Sequence, residues 1–562
     1  VELPIYRPGD KATIWEQGKV VEWAGKFKSQ VFLWECMALG EDYAATLQHD
    51  WMMDDLSTLS NTFVDHENVQ GPTGMDVSRA LTSFVPEKGT LFTAEEFMLP
   101  VIREKCKSRS TKLFDLKWHE SDLIGDDLLS LFPYTVHPRN IGMVLKMARH
   151  LGIDENVALR EIARNIIPDL GSFKRFRSRF RGRHLEFWNG MSANDRMSSM
   201  SNWEKAGFYD IDTGSNTWCV TVINNRDDRI IRSREFSEII VNDTPANLHV
   251  LIGTNLTGLQ GYLYEAVKNY ASRRSILGEN TSLTNPKTLL EKCDITLTKM
   301  LKWLRVEAVD RVALTGKLQL MLNQAGQTSA LTATVDELIE QEVTDSRIIK
   351  TKMSALPLET DYLDSICIQI SRDLKDFFLV EEFRSSLRNE LSRDPGDIVI
   401  PNLNEKYREL IINLFKNRLL VLTNPFLTGD HIIEKITDNI PPNYSAKIMG
   451  MQNIKGTGLD FAYRWVSLDK IQAAITRLEH ENAETRRKAL DFLFEYDDYG
   501  ILDAPLAISA LKNFRKQAVR ELPEIIPQLD ETIGGIQARL DARLSRIKSE
   551  SRLRGFRRKL YW

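Results

Sequence analysis

The sequence predicts an α/β protein that carries a large all-α insertion and an α-helical tail. Three observations predict it. Between residues 1 and 262, short β-rich runs alternate with helical patterns, as in parallel sheets covered by helices. From about 263 to 440, glycine becomes rare and long amphipathic stripes take over. A single strand-like run at 446–451 then interrupts the helices, which resume beyond it.

The elements follow in order. Strands are expected at 31–34, 56–61, 89–93, 112–116, 218–224 and 248–253, with helices at 77–84, 95–109, 141–151, 155–166 and 199–206. In the helical block, Leu363, Ile366, Cys367, Ile370, Leu374 and Phe377 fall at helical i, i+3, i+4 spacing, which marks one buried face. Similar stripes occupy 287–304, 335–353 and 405–422, and the tail reads as helices at 468–479, 484–494 and 508–522. If 248–253 and 446–451 belong to one sheet, the residues from 263 to 445 are an insertion within that domain.

Composition bounds the rest. A chain of 562 residues suggests three or four domains at ~150 residues each. Hydrophobic residues are 42% and charged residues 27%, which excludes collagen-like, mucin-like and wholly disordered chains. No apolar run reaches the ~18 residues of a membrane span. Net charge is −4, so bulk electrostatics give no reason to expect nucleic acid. The five cysteines, at 36, 106, 219, 293 and 367, form no CxxC, and the nine histidines form no HExxH. A zinc site or disulfide framework is not expected, and a reducing cytoplasm fits. The first residue is Val1, and the text opens mid-phrase, so a preceding segment is expected.

Two strand ends carry chemistry. Run 31–34 leads into Glu35-Cys36-Met37-Ala38, and run 56–61 leads into Asn61-Thr62-Phe63-Val64-Asp65-His66. Polar groups at the C-terminal ends of parallel strands sit where α/β proteins bind ligands, and a carboxylate there can hold Mg²⁺. The other reading is a half-buried Glu, a capping Asp and a surface His. The run from Phe173 to Arg183 has six basic residues and no acid. Extended, Arg175, Arg177, Arg179, Arg181 and Arg183 all face one way, which makes either a polyanion stripe or a solvated basic loop. The tail from Arg539 to Trp562 holds nine Lys/Arg against two acids and is open to the same two readings.

These motifs carry a resemblance. Glu35-Cys36-Met37-Ala38, Asp65-His66, Gly71-Pro72-Thr73, Phe92-Thr93-Ala94-Glu95, Asn140, Leu151–Glu155 and Pro168-Asp169-Leu170-Gly171 resemble the ligase subunit of poly-γ-glutamate synthase, the CapB/PgsB family of the Mur ligase superfamily. The resemblance continues through Asn189–Asp195, Asn224–Arg229 with Arg232, Leu251-Ile252-Gly253, and Gly450, Asn453 and Gly456. It implies a Mur ligase-like central domain at 1–185 and a Rossmann-like C-terminal domain at 186–262 and 446–470. An all-α insertion at 263–445 and a helical extension at 471–562 complete that division.

The resemblance implies an ATP-dependent, ADP-forming amide ligase. A carboxylate is phosphorylated to an acyl phosphate, and glutamate or a related amino acid attacks it. ATP and Mg²⁺ are the implied cofactors. Glu35 and His66 would be the catalytic, Mg²⁺-side residues. Asn140 would meet adenine, and Asn189 and Asn194 would lie in the nucleotide-contacting segment. Arg226, Asp228, Arg229 and Arg232 would hold the amino acid, since Arg grips carboxylates bidentately. A surface salt-bridge cluster with Asp227 and Asp228 is the plainer reading of these arginines. Implied partners are the amino acid, a carboxylate or polyanionic acceptor, an upstream P-loop segment, and a membrane subunit or second copy met through the helical blocks.

Departures from the family pattern matter. No G-x-x-x-x-G-K-[ST] occurs in the 562 residues, and in the family that loop would precede Val1. No Lys lies between His66 and Lys88, so a carbamylated lysine is not expected. Asn189 and Met191 stand where many Mur ligases have Asp and Lys, and Asn steers towards the glutamate-polymerising branch. A scaffold protein reusing a ligase fold is the competing reading, and a polyanion-binding module built round the arginines is a third.

Overall fold

The computed structural model describes residues 13–64, 66–278, 286–322, 328–354, 360–394, 398–480 and 482–560. The chain divides into two compact units, Val1–Asp169 and Leu170–Trp562.

In the first unit, the described strands β1 (Leu56–Leu59), β2 (Thr90–Thr93) and β3 (Lys112–Asp115) form a parallel sheet in that order. Helix α1 (Ile14–Lys26) precedes it. Helix α2 (Gly74–Thr82) opens on a capping box between Thr73 and Asp76. Helix α3 (Leu99–Ser108) contributes Ile102 and Cys106 to a small core with Val85 and Leu91. Helices α4 (Pro138–His150) and α5 (Glu155–Asn165) close a second core round Phe132, Val136, Ile141 and Leu159. Expected strand 31–34 does not form, and Val31 and Leu33 stand 85% and 93% exposed. An apolar run becomes a strand only when its backbone groups find a ladder partner, and the partner of β1 is β2.

The second unit is a three-layer α/β/α body. Strands β4 (Arg175–Phe180) and β5 (Arg183–Asn189) form an antiparallel hairpin. Next come α6 (Arg196–Lys205), β6 (Thr217–Asn225), α7 (Ile230–Asn242), β7 (Leu248–Gly253) and α8 (Leu256–Ser272). The helical block follows: α9 (Pro286–Trp303), α10 (Arg311–Leu322), α11 (Thr328–Glu340), α12 (Ser346–Met353), α13 (Thr360–Leu391) and α14 (Ile400–Lys416). Strand β8 (Leu419–Val421), α15 (Gly429–Asp438) and β9 (Ser445–Met451) return to the sheet. Helices α16 (Thr457–Leu478), α17 (Ala483–Glu495), α18 (Ala504–Glu521) and α19 (Ile526–Leu560) end the fold.

Among the described residues the sheet has six strands in the order β4-β5-β9-β6-β7-β8. All neighbours are parallel except β4 and β5. Parallel pairing needs crossovers, and the helices supply them. Both faces are covered. Trp218, Val220, Val222, Ala446 and Ile448 pack with α15 to α19 in one core. Cys219 and Met449 face α6 and α7, while Ile223 and Leu251 face α8 and the helical block.

Four boundaries differ from expectation. The first unit ends at Asp169, not 185, because the hairpin of residues 175–189 adds its strands to the second sheet. The insertion does not stay clear of that sheet, since β8 pairs with β7. The division at 470 falls inside α16. The tail is no separate extension either, because Leu493, Leu511, Leu529 and Ile536 share one core with Val220 and Ile448.

The arginine run is also corrected. It does not stay extended through Arg183. Arg181 and Gly182 have φ of 47° and 75°, the left-handed pair that a two-residue hairpin turn requires. Arg181 folds back to Glu434 and Asp438 at 2.5 and 2.7 Å. Arg183 is buried, donating to the Ile440 carbonyl and the Ser365 hydroxyl. Arg175, Arg177 and Arg179 alone remain exposed on one face. Among the described residues no helix is long and apolar enough to cross a membrane. The side chains of the basic tail beyond Ile547 lie outside the described residues.

Candidate functional site at the strand ends of the second sheet

The chain leaves β6 and β9 for helices on opposite faces of the sheet. Ligands in open α/β sheets bind at such a divergence, outside the C-terminal strand ends. Here those ends are polar where apolar strands run out: Asn189 on β5, Asn224 and Asn225 on β6, and Gln452 and Asn453 after β9. All five are buried.

Their hydrogen bonds fix which way each amide points. Asn224 Nδ2 donates to the carbonyls of Asn453 and Lys455 at 2.8 and 2.7 Å. Gln452 Nε2 donates to Asn225 Oδ1 at 2.9 Å, which also accepts from the Ser233 hydroxyl at 2.7 Å. Asn189 Nδ2 donates to the Leu170 carbonyl at 2.6 Å. With the nitrogens committed, Asn189 Oδ1, Asn224 Oδ1 and Gln452 Oε1 are buried acceptors with no partner among the described residues. Buried amide oxygens left so are costly, and each calls for a partner, an ordered water or a ligand group.

The backbone crowds in to shape the crevice. A Cβ on Gly458, in the first turn of α16, would lie 2.4 Å from Asn224 Nδ2. One on Gly253, with φ of 95°, would lie 2.2 Å from the Asn225 carbonyl. Only glycine fits at either place.

The expected site residues fall into two groups. In the second unit, Arg226 pairs with Asp228 at 2.5 Å just past β6. Arg229 precedes α7, and Arg232 is buried in its first turn. Asn189 ends β5, and half-buried Asn194 lies one residue before Asp195, the cap of α6. These six share one edge of the sheet.

Glu35, His66 and Asn140 belong to the first unit. Glu35 is exposed on irregular chain and ends no strand, contrary to expectation, because 31–34 is not a strand. His66 is half-buried ahead of the short helix Glu67–Gln70, and Asn140 is exposed in the first turn of α4. Asp65 lies outside the described residues. Among the described residues no three His, Cys, Asp or Glu side chains cluster as a metal site. An exposed Glu and one His are a thin donor set for Mg²⁺, which prefers several oxygen ligands.

Gln452 and Ser233 carry no expectation from the sequence, and Asn225 stands there only within the Asn224–Arg229 motif, with no role of its own. The available signal was paired amides, Asn224-Asn225 and Gln452-Asn453, ending apolar strands. A larger cavity of about 630 Å³ lies between α8 and α14, lined by Leu263, Tyr264, Val267 and Phe415. It opens at the start of β8, at Leu419, and not at the C-terminal strand ends, and its charged lining is Glu409 and Lys416.

The fold is α/β, and this edge is its candidate site. Residues 175–299 match the family model described as the poly-gamma-glutamate synthase CapB C-terminal domain. The capsule biosynthesis protein CapB of Bacillus anthracis is 31% identical over 252 residues, 45% of this chain and 53% of that protein. The PGA synthase CapB of Bacillus subtilis (strain 168) is 28% identical over 252 residues, 45% of this chain and 62% of that protein. The resemblance read from the sequence is therefore borne out as a similarity to the CapB proteins, carried by this domain. It spans a little over half the length of the curated relatives it matches. No solved structure matches it.

Proposed function

We propose that the chain is part of an ATP-dependent amide ligase that builds poly-γ-glutamate, with the crevice of the second unit holding the incoming amino acid. The observation that carries this is the set of donor-less oxygens on Asn189, Asn224 and Gln452 at the strand ends of the sheet, with Arg226 just past β6. An amino acid offers an ammonium group, which only donates, and carboxylates, which only accept. Amide oxygens suit the first and guanidinium groups the second. The names of the relatives support the same substrate class.

On this reading, ATP phosphorylates the acceptor carboxylate and ADP leaves. The amino group attacks the acyl phosphate, phosphate leaves, and an amide remains. Positioning and charge neutralisation do most of the work in phosphoryl transfer. No G-x-x-x-x-G-K-[ST] occurs in these 562 residues, so on this reading a further P-loop segment would supply the triphosphate cradle. ATP and Mg²⁺ are the proposed cofactors, with Glu35 and His66 on the Mg²⁺ side, Asn140 at adenine, and Asn189 and Asn194 near the nucleotide. These first-unit roles rest on the family resemblance alone. The Mur ligase-like and Rossmann-like descriptions and a cytoplasmic location, with or without a membrane partner subunit, belong to the same proposal.

The test is calorimetric binding of glutamate to the 562-residue chain, paired with ADP release from the chain and from a version extended by its preceding segment. Glutamate binding that is lost in Arg226→Ala, and ADP release only from the extended version, support the reading. Absence of glutamate binding, with no glutamate-dependent ADP release from the extended version, leaves the scaffold reading in its place.

A further inference from the structure

The arginines of β4 lie on an exposed margin of the sheet that the crevice does not use. Arg175, Arg177 and Arg179 sit directly opposite Trp188, Glu186 and His184, so the six share one face. Phe176 and Phe180 project to the other face, into or against the core. Strand β4 is the sheet's edge and its one antiparallel member among the described residues. It therefore starts at the crevice and runs away from it. Arg175 lies one pair from Asn189, whose amide N–H bonds the Lys174 carbonyl at 3.0 Å.

The far end is concave. A cavity of about 400 Å³ is lined there by Arg177, His184, Glu186 and Lys447. Partial burial raises the Glu186 carboxyl, but hydrogen bonds from Trp188 and Arg177 and the nearby charges of Lys447 and Arg175 outweigh it and hold it below the usual range. Three cations, Arg177, Lys447 and Arg175, act on this one carboxylate. The Arg175 guanidinium rests over Trp188 at 5.6 Å, which orients its plane.

We propose that Arg175, Arg177 and Arg179 form a track for the γ-linked polyglutamate acceptor, one carboxylate per arginine, leading from the crevice along β4. The proposal rests on the ligase reading and adds where the polymer lies. Alternate residues of an antiparallel strand recur every ~6.8 Å. A γ-glutamyl repeat has five main-chain bonds, so extended it spans roughly 6 Å by standard bond lengths. Five bonds put successive carboxylates on opposite sides of a fully extended chain, so a rotation within the methylene bonds of each repeat is needed to bring them to one side, where the flexible arginine side chains can meet them. An α-linked chain rises about 3.4 Å per residue, so its every second carboxylate recurs at ~6.8 Å and fits the same arginines; the γ-linkage of the occupant comes from the ligase reading, not from the spacing. Single-stranded nucleic acid is disfavoured because base stacking needs exposed aromatic faces. The phenylalanines of β4 are turned away from the arginines, and Trp188 is covered by Arg175.

The experiment measures binding of γ-glutamyl oligomers of graded length to the 562-residue chain without ATP, at low and at physiological salt. Affinity should climb until the oligomer engages all three arginines, and climb less at the higher salt. The triple variant Arg175→Ala, Arg177→Ala, Arg179→Ala should lose at least about ten-fold of affinity for the longer oligomers. Circular dichroism and the urea midpoint check its fold, and Arg177→Lys, which keeps charge but not the fork, should lose only part. Length-independent binding, a folded triple variant that binds like wild type, or equal affinity for single-stranded DNA of matched charge overturns the track. Single-glutamate binding that survives such a result leaves the ligase reading standing. Length-dependent binding without glutamate-dependent ADP release from the extended protein keeps the track and removes the ligase reading.

Discussion

Gly253 ends β7 with φ of 95°, and a Cβ there would meet the Asn225 carbonyl at 2.2 Å. Backbone cannot step aside as a side chain can. Gly253→Ala should therefore cost about 3 kcal/mol, read as a lower urea midpoint at unchanged slope, and should weaken glutamate binding by displacing Asn225. A second prediction concerns His249. It is buried on β7, with Nδ1 at 2.7 Å from the Thr221 hydroxyl and its ring stacked on Phe415. Burial first, then the Arg418 charge, lower its pKa from 6.5 to about 3. The unfolded chain takes a proton below 6.5, and the folded chain does not until about 3. This contribution to stability is thus complete above the unfolded pKa and lost as pH falls through that window, at a slope of about 1.4 kcal/mol per pH unit. Urea titrations stepped downward from neutral pH should show that slope, and His249→Gln should flatten it. Little of this was legible beforehand. Glu35 was read from its neighbours as a strand-end carboxylate, and only pairing partners decide whether a strand exists. Asn224 and Asn225 were legible as a motif, yet which amide face stays free depends on carbonyls of Asn453 and Lys455, more than two hundred residues away.

Helix α13 ties the insertion to the sheet. Its first half, Leu363 to Phe377, belongs to the core of α10 to α12, and its second half, Val380 to Leu391, packs with α8, α9 and α14. Near its middle, Asp373 meets Lys317 of α10 at 2.8 Å, and Lys317 also meets Glu307 at 3.0 Å and lies 4.7 Å over the Trp218 ring of β6. Burial lowers the Lys317 pKa, but the two carboxylates outweigh it and raise it on balance. Burial keeps Asp373 raised even beside Lys317, with Glu307 and Asp376 adding to the rise. Removing the cation alone leaves two buried carboxylates facing each other. Lys317→Met should cost about 3–5 kcal/mol. Combining it with Asp373→Leu and Glu307→Gln should recover most of that, as urea unfolding of the series would show. Recovery of nothing would mean the cluster acts by packing, not by charge. At this scale the sequence was legible where periodicity was strong: the stripe from Leu363 to Phe377 is buried as expected, and β7 and β9 lie where they were read. It failed where one pattern hid two elements. Run 335–353 is split by Asp345, whose side chain caps α12. Run 405–422 holds the end of α14 and then β8, since three apolar residues fit either period.

The chain consists of two units, and among the described residues each hydrophobic cluster lies within one of them. The clusters of the second unit draw only on residues from Phe173 onward, and those of the first only on residues up to Ile166. The boundary is marked by Pro168, Gly171 and Ser172 between α5 and β4, but the sequence hid it because the charge of the hairpin that follows suggested a loop continuing the first unit. It also hid the role of the tail, since amphipathic stripes tell that a face is buried and not against what. In the structure, Leu493, Leu511 and Leu529 of the tail cover the same sheet face as Trp465 of α16. A unit holding its own sheet, both helical layers and all of its core partners meets the requirements of an independent folding domain. The fragment 170–562 should therefore fold alone, with a single cooperative urea transition and the helix content of its own elements. Cutting it shorter should not be tolerated. Removing the residues after 495 would uncover Val220, Val222 and Ile448 on one sheet face, and the remainder should aggregate or melt without cooperativity. Because the crevice and the arginine margin both lie in this unit, the intact fragment should also bind single glutamate and γ-linked oligomers as the 562-residue chain does. The decisive comparison is circular dichroism, urea unfolding and oligomer binding on the two fragments side by side. A folded fragment 170–562 that binds neither ligand, while the whole chain binds both, would move the binding site into or against the first unit.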